Sequence, residues 1–320
     1  MKDNKLAGLF VFIKSVIVYK YFSFKLRNID YFEYKKLSNP KFLSPKYFVS
    51  VCLYGNYKAI AKLRNKRFNF ITEYLEHGVY YEDNPNSAEQ MGYINRPLIK
   101  TVYTYSERRK TVLEEYLKIK KITRNIIPVG PYILGCKNFY SDNKLKLLKQ
   151  KYGRTLVVFP SKSIDYVKSV YDSNTLLEEI QRIKHDFDSV IMCFYWMDIE
   201  EKQHEIYENA GFTIVTAGHR SDPNFLPRLK DIIELSDLTM SNNVGTHIGY
   251  SICINRPHYL FSQTLKYNVK ATRFTTNEVR DIDSSNINQL FTNYFGKYST
   301  EITSEQIKLI EEYWGTWHTV

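Results

Sequence analysis

Between residues 153 and 261 short apolar runs alternate with amphipathic stretches, and that alternation leaves few architectures open. Thr155–Phe159 (TLVVF), Ser189–Trp196 (SVIMCFYW), Phe212–Thr216 and Leu238–Met240 are β-branched or continuously apolar, as strands covered on both faces are. Between them lie Thr175–Phe187, with Leu176, Leu177, Ile180 and Ile183 at helical spacing, Glu200–Ala210 closed by Gly211, and Pro223–Leu235. Strand–helix alternation of this kind predicts a parallel sheet with helices on both faces. Its last unit is Ser241–Phe261, which reads as a sharp turn, a helix, a turn at Asn255-Arg256-Pro257 and a final strand at Tyr259–Phe261.

In an open parallel sheet, ligands sit beyond the carboxyl ends of the strands. Here those ends are Ser161-Lys162-Ser163, Trp196–Asp198, Gly218-His219 and Ser241–Thr246. The last is the most informative. Ser241, Asn242 and Asn243 are turn and helix-capping types. Gly245 and Thr246 keep side chains small where a backbone approaches a ligand. A helix N-terminus presents unpaired N–H groups and the positive end of its dipole, so the stretch suits an anion such as a nucleotide phosphate. His247 and His219 are candidate phosphate partners, and Lys162 can offset phosphate charge. The plainer account is a well-capped helix in any α/β domain, since no GxxxxGK[ST] pattern is present.

The first half reads as α/β as well. Tyr47–Leu53 (YFVSVCL) predicts a buried strand, Gly55-Asn56 a turn at the end facing the crevice and Tyr57–Leu63 a helix. Lys100–Tyr105 and Ile126–Val129 predict further strands, and Ser106 caps a helix between them. Glu76-His77-Gly78 sits among these elements with Glu82 close behind. An imidazole beside carboxylates at a strand end is where an α/β domain keeps a general base, although solvated acids around a capped turn have the same composition. Gly153 marks the boundary: an N-terminal domain over 1–152, a second α/β domain over 153–300 and a closing helix within 301–320.

Charge divides the chain at the same place. Its 320 residues carry a formal +11. Residues 1–150 hold 28 Lys and Arg against 12 Asp and Glu, whereas the remainder holds 17 against 22. A basic, aromatic first half attracts an anionic surface, whether phospholipid, a lipid diphosphate or nucleic acid. No RNA- or DNA-binding motif accompanies it, so nucleic acid ranks last. The four cysteines form no CxxC pair, which points to buried free thiols and a reducing compartment. Leu6–Ile13 is apolar but interrupted by Lys14 and lacks a cleavage site, so a surface or core helix over Phe10–Leu26 is expected rather than a signal or a membrane span.

Two α/β halves with a cleft between them, a small polar loop leading into a helix and an (G/N)xP-type turn, here Asn255-Arg256-Pro257, resemble the GT-B class of glycosyltransferases. Glu76-His77-Gly78 is similar to the His-Gly element of bacterial wall- and capsule-polymer transferases. The resemblance spans roughly residues 47–261, and the closing helix extends it. It implies two Rossmann-like domains facing each other and transfer of a sugar from a nucleotide-activated donor to a glycan acceptor. His77 would be the base, with Glu76 or Glu82 orienting it or standing in for it. Ser161, Ser163, His219, Ser241, Asn242, Asn243, Gly245, Thr246 and His247 would hold the nucleotide-sugar, and Gly55, Asn56 and Lys162 would serve acceptor and phosphate. It further implies no metal and no cofactor beyond the nucleotide-sugar, a lipid-linked acceptor at the inner face of a bacterial membrane, a cytoplasmic location peripheral to that membrane, and a place in O-antigen or capsule assembly. Departures are clear: no DxD in the context of a metal-binding motif, no Glu-x7-Glu near Ser241, and Met240-Ser241-Asn242-Asn243 where teichoic-acid-type enzymes carry Asp-Tyr-Ser-Ser. The rival readings are a nucleotide-sugar 2-epimerase, a polyol-phosphate transferase, a non-catalytic nucleotide or glycan binder, and an RNA-binding protein.

Overall fold

The computed structural model describes residues 23–39, 50–85, 94–164, 167–269 and 286–317, with Ile17, Lys20 and Tyr21. The surface or core helix expected over Phe10–Leu26 therefore falls largely outside the described residues, as does the start of the strand expected at Tyr47–Leu53. The described part of that run forms no strand: Ser50–Gly55 is 3₁₀-like turn structure kinked at Leu53 (φ −58°, ψ 133°) and Tyr54 (φ +59°). Gly55, at φ +74°, then leads into helix α1 (Asn56–Leu63). A β substituent at Gly55 would lie 2.4 Å from the Pro223 carbonyl oxygen, so only glycine allows this approach.

Strands β1 (Glu73–Leu75), β2 (Thr101–Thr104) and β3 (Asn125–Pro128) form a parallel three-stranded sheet in sequential order. Helix α2 (Glu107–Ile119) follows β2 and is capped by Ser106, whose hydroxyl accepts the Arg109 N–H at 3.3 Å. Helix α3 (Asp142–Tyr152), capped by Ser141, leads to the second sheet.

That sheet contains β4 (Thr155–Phe159), β6 (Ser189–Cys193), β7 (Thr213–Val215), β8 (Leu238–Ser241) and β9 (His258–Leu260), all parallel, in the order β7-β6-β4-β8-β9. Every residue of β4, β8 and β9 is buried, as the unbroken apolar runs require. Chain order reverses between β4 and β8, which makes their carboxyl ends the topological switch point. The connecting helices are α4 (Ser173–Ile183), α5 (Trp196–Glu200), α6 (Glu205–Asn209), α7 (Phe225–Leu235) and α8 (Thr246–Cys253). The single helix expected over Glu200–Ala210 is broken into α5 and α6, with Lys202 at φ +61° and the buried His204 between them. An unanticipated antiparallel pair, β5 (Val167–Val170) with β10 (Lys266–Val269), flanks the sheet. The architecture is thus α/β with two parallel Rossmann-like sheets.

One apolar cluster spans both halves, beside a second around the larger sheet and a third around the smaller. Tyr105, just past β2, stacks on Tyr132 with centroids 4.0 Å apart and meets the Tyr250 hydroxyl of α8 at 2.8 Å. Helices α9 (Asn286–Phe295) and α10 (Ser304–Trp314) complete the chain, α10 opening with a capping box at Thr303 and Gln306. Trp314, fully buried, donates to the Thr246 carbonyl at 3.2 Å and lies edge-on to Tyr81, while Arg108 of α2 covers the Tyr313 ring. Residues 26–37 precede the first sheet in sequence yet pack on the second. Arg228 of α7 donates to the Leu26 carbonyl at 2.7 Å, and the Thr216 N–H donates to that of Tyr31 at 3.1 Å. A boundary at Gly153 therefore does not describe where this segment packs. Among the described residues no helix is long and apolar enough to cross a membrane.

Candidate functional site

A cavity of about 520 Å³ opens at the switch point, lined by both halves. From the second half come Phe159 to Lys162 at the end of β4, Cys193 to Tyr195 at the end of β6, Ala217 after β7 and Asn243 to His247 after β8; from the first come Tyr54, Asn56 and His77 to Tyr80. The two halves come within contact distance here: a methyl added at Gly78 would sit 3.6 Å from the Thr246 hydroxyl. The strand-end loops singled out in the sequence, 76–78 and 241–247, thus converge on one space.

On the first-half wall, His77 lines the cavity. The Asn56 side-chain amide donates to the His77 carbonyl at 3.1 Å and fixes its backbone. Burial, together with the charges of Lys162 and Arg220, pushes the imidazole down to about 4. The ring is therefore neutral at pH 7 and able to accept a proton. Glu76 is placed differently from expectation. In extended chain, neighbouring side chains point to opposite sides, and Glu76 turns inward, fully buried. Its oxygens take the Arg109 guanidinium at 2.9 Å and the Thr104 hydroxyl at 2.5 Å. Burial pushes its carboxyl up, and Arg109 opposes that shift. Glu82 is exposed and does not line the cavity, so neither carboxylate touches His77.

On the second-half wall, the polar residues divide into those that face the cavity and those that build it. Asn242 is fully buried: its side-chain oxygen accepts the Ser161 N–H at 2.6 Å and its amide donates to Gln263 at 2.9 Å, tying the β4 and β8 ends together. Ser241 donates to the Asn243 carbonyl at 2.9 Å and bonds His258 Nε2 at 3.0 Å; His258, unnoticed in the sequence, also meets the Thr239 hydroxyl at 2.8 Å. Ser163 has its N–H on the Asp198 carboxylate at 3.1 Å and its hydroxyl on the Ser169 N–H at 3.2 Å, and it does not reach the cavity. His219 is buried against Trp196 and bonded to Ser221, likewise outside the lining. Gly55 lies behind the wall, and its neighbours Tyr54 and Asn56 supply the surface.

What remains facing the cavity is Ser161, Lys162, Asn243, Gly245, Thr246 and His247. Helix α8 starts at Thr246 after an extended Gly245, and no side chain caps it. His247 stacks on Phe159 with centroids 5.0 Å apart, and its Nε2 is buried without a hydrogen-bond partner among the described residues. Burial, with Lys162 adding to it, pushes this imidazole down to about 3, so it too is neutral. Lys162 is exposed, with its ammonium 5.6 Å from the ring centroids of Tyr54 and Tyr195, one from each half. A cation, an uncapped helix N-terminus and an unsatisfied imidazole nitrogen on one wall can receive a phosphate. The aromatic lining, from Tyr54, Tyr80, Phe159, Phe194, Tyr195, Phe225 and Tyr250, was not anticipated. Tyr54 has φ +59°, a conformation that bulky residues rarely adopt, and its N–H is bonded to the Arg220 carbonyl at 2.5 Å. Among the described residues no three His, Cys, Asp or Glu side chains converge as a metal site, and Cys136, Cys193 and Cys253 are buried free thiols.

No family model matches the chain, and no curated protein matches it. Among solved structures it is similar to Anabaena HepE in complex with UDP, at 14% identity and a TM-score of 0.34, over 63% of this chain and 55% of that one. HepE in complex with UDP and glucose gives the same values. The HepE complex with UDP-glucose gives 13% identity and 0.36, over 80% and 71%. The chain spans about half the length of the first two of these structures.

Proposed function

We propose that this protein is a glycosyltransferase that moves a sugar from a nucleotide-activated donor to a glycan hydroxyl. The observation that carries the reading is the convergence of His77-Gly78 with the Gly245–His247 turn on one cavity at the switch point of a parallel sheet. The second half holds the donor, with its diphosphate at the α8 N-terminus between Lys162 and His247. Negative charge grows on the leaving phosphate as the glycosidic bond breaks, and preorganised N–H groups and the Lys162 ammonium meet it without a metal. The first half presents the acceptor, and neutral His77 takes the proton of the attacking hydroxyl.

The basic first half suits an acceptor carried on a lipid diphosphate, with the protein seated on the inner face of a bacterial membrane and working in surface-polysaccharide assembly. The test is nucleotide release. Purified protein is incubated with nucleotide-sugars, with and without lipid-diphosphate glycans, and free nucleoside diphosphate is measured. Acceptor-dependent release that is lost in His77→Ala is the expected result. Conversion of the nucleotide-sugar without acceptor would indicate an epimerase, and binding without any turnover a non-catalytic binder.

A further inference from the structure

Four residues of the first half form a run of contacts that ends on His77, and the chemistry above uses only the last of them. Glu76 and Arg109 are a buried ion pair at 2.9 Å. Such a pair is costly to bury unless its remaining donors are satisfied. Arg109 Nη1 and Nη2 make no hydrogen bond among the described residues; instead the guanidinium lies 4.6 Å from the centroid of the Tyr80 ring. A cation over an aromatic face is attracted by the ring quadrupole, and more strongly where water is excluded. Tyr80 in turn crosses the His77 ring at 84°, and its hydroxyl stands 3.5 Å from His77 Nδ1. Glu76 and Tyr80, four residues apart, thus both meet Arg109.

A neutral imidazole carries one N–H, and the partner of one ring nitrogen decides what the other can do. We propose that Tyr80 is the positioning residue for His77: its phenol oxygen accepts the Nδ1–H and leaves the Nε2 lone pair facing the cavity. Arg109, held by Glu76, sets the plane of the Tyr80 ring. Glu76 thus acts on His77 at two removes rather than by touching it. A carboxylate in place of the phenol would favour the imidazolium. The phenol orients the ring without adding negative charge, and burial keeps its own proton on by pushing its titration well above the usual value. The inference rests on His77 being the base of the proposed reaction.

The experiment reads the tautomer directly. Full-length protein labelled with ¹⁵N-histidine is studied at pH 7 by long-range ¹H–¹⁵N correlation, with His77 assigned by its loss in His77→Gln. The expected result is a protonated Nδ1 and a bare Nε2. In Tyr80→Phe the two nitrogen resonances move toward each other as the tautomers mix, while the other histidine signals stay in place. With a turnover assay in hand, kcat falls about tenfold, a fraction of the 10²–10⁴ typical of a positioned base, and KM holds. A wild-type His77 protonated on Nε2 overturns the proposal, and so does a Tyr80→Phe spectrum identical to wild type. If the variant does not fold, the wild-type tautomer decides. Absence of nucleotide binding would instead remove the reading of function and leave the tautomer result standing, so the two failures are distinguishable.

Discussion

The two loops that face each other across the cleft are anchored by different physics. The 76–80 loop hangs on a buried ion pair, Glu76 with Arg109, and on a cation–π contact to Tyr80. The 241–247 loop hangs on neutral hydrogen bonds, from Asn242 to Ser161 and from Ser241 to His258. A broken ion pair strands a charge in a dry interior, whereas a broken neutral bond strands only a dipole. The first wall is therefore the more fragile to substitution and the second the more tolerant.

The largest expected effect breaks the ion-pair wall. Arg109→Ala leaves Glu76 buried and uncompensated and costs ~3–5 kcal/mol of stability, measured by urea unfolding. On the neutral wall, Asn242→Ala loses the bonds to Ser161 and Gln263 and costs ~1–3 kcal/mol in the same assay. Equal losses at the two positions would dissolve the contrast.

The pH dependence sharpens it further. Burial pushes Asp231, on the second half, up to about 7, although its oxygens accept the N–H groups of Phe139 at 3.1 Å and Tyr140 at 2.8 Å. A carboxyl raised above its unfolded value of about 3.9 contributes stability that is present at low pH and lost as pH rises toward 7. His77, pushed down to about 4 from an unfolded value near 6.5, contributes the opposite: stability present above about 6.5 and lost as pH falls toward 4. Between about pH 4 and 6.5 the two oppose each other, each by at most ~1.4 kcal/mol per pH unit. In unfolding curves across that window, Asp231→Asn steepens the rise of stability with pH, and His77→Gln flattens or reverses it. Slopes that stay parallel to wild type would contradict these shifts.

The second sheet was legible because TLVVF, SVIMC and LTM are buried on both faces and cannot be mistaken for amphipathic helices. YFVSVCL misled for a related reason: a short apolar run does not by itself separate a strand from a turn, and residues 50–55 are the latter. At the site, the positions of His77, Lys162 and Gly245–His247 followed from strand-end logic. The roles of Glu76, Ser163, Ser241 and Asn242 did not, because which face a side chain takes, and which backbone group it must satisfy, is decided by partners far along the chain; Arg109 lies 33 residues from Glu76. The aromatic lining was invisible for another reason. With 27 Tyr and 19 Phe in the chain, nothing local marks Tyr54 or Tyr195 as belonging to the cleft.

On the proposed function, the cleft takes a nucleoside diphosphate between Lys162 and the α8 N-terminus. Isothermal titration of the purified protein with UDP, GDP, CDP, dTDP and CMP, without added metal, tests it most directly, with Lys162→Ala run in parallel. Saturable binding of one of the four diphosphates, tighter than that of the monophosphate CMP and weakened about tenfold in the variant (~1.4 kcal/mol), is the predicted result. Folded protein that binds none of them, or binds one with the same affinity when Lys162 is gone, would contradict the account.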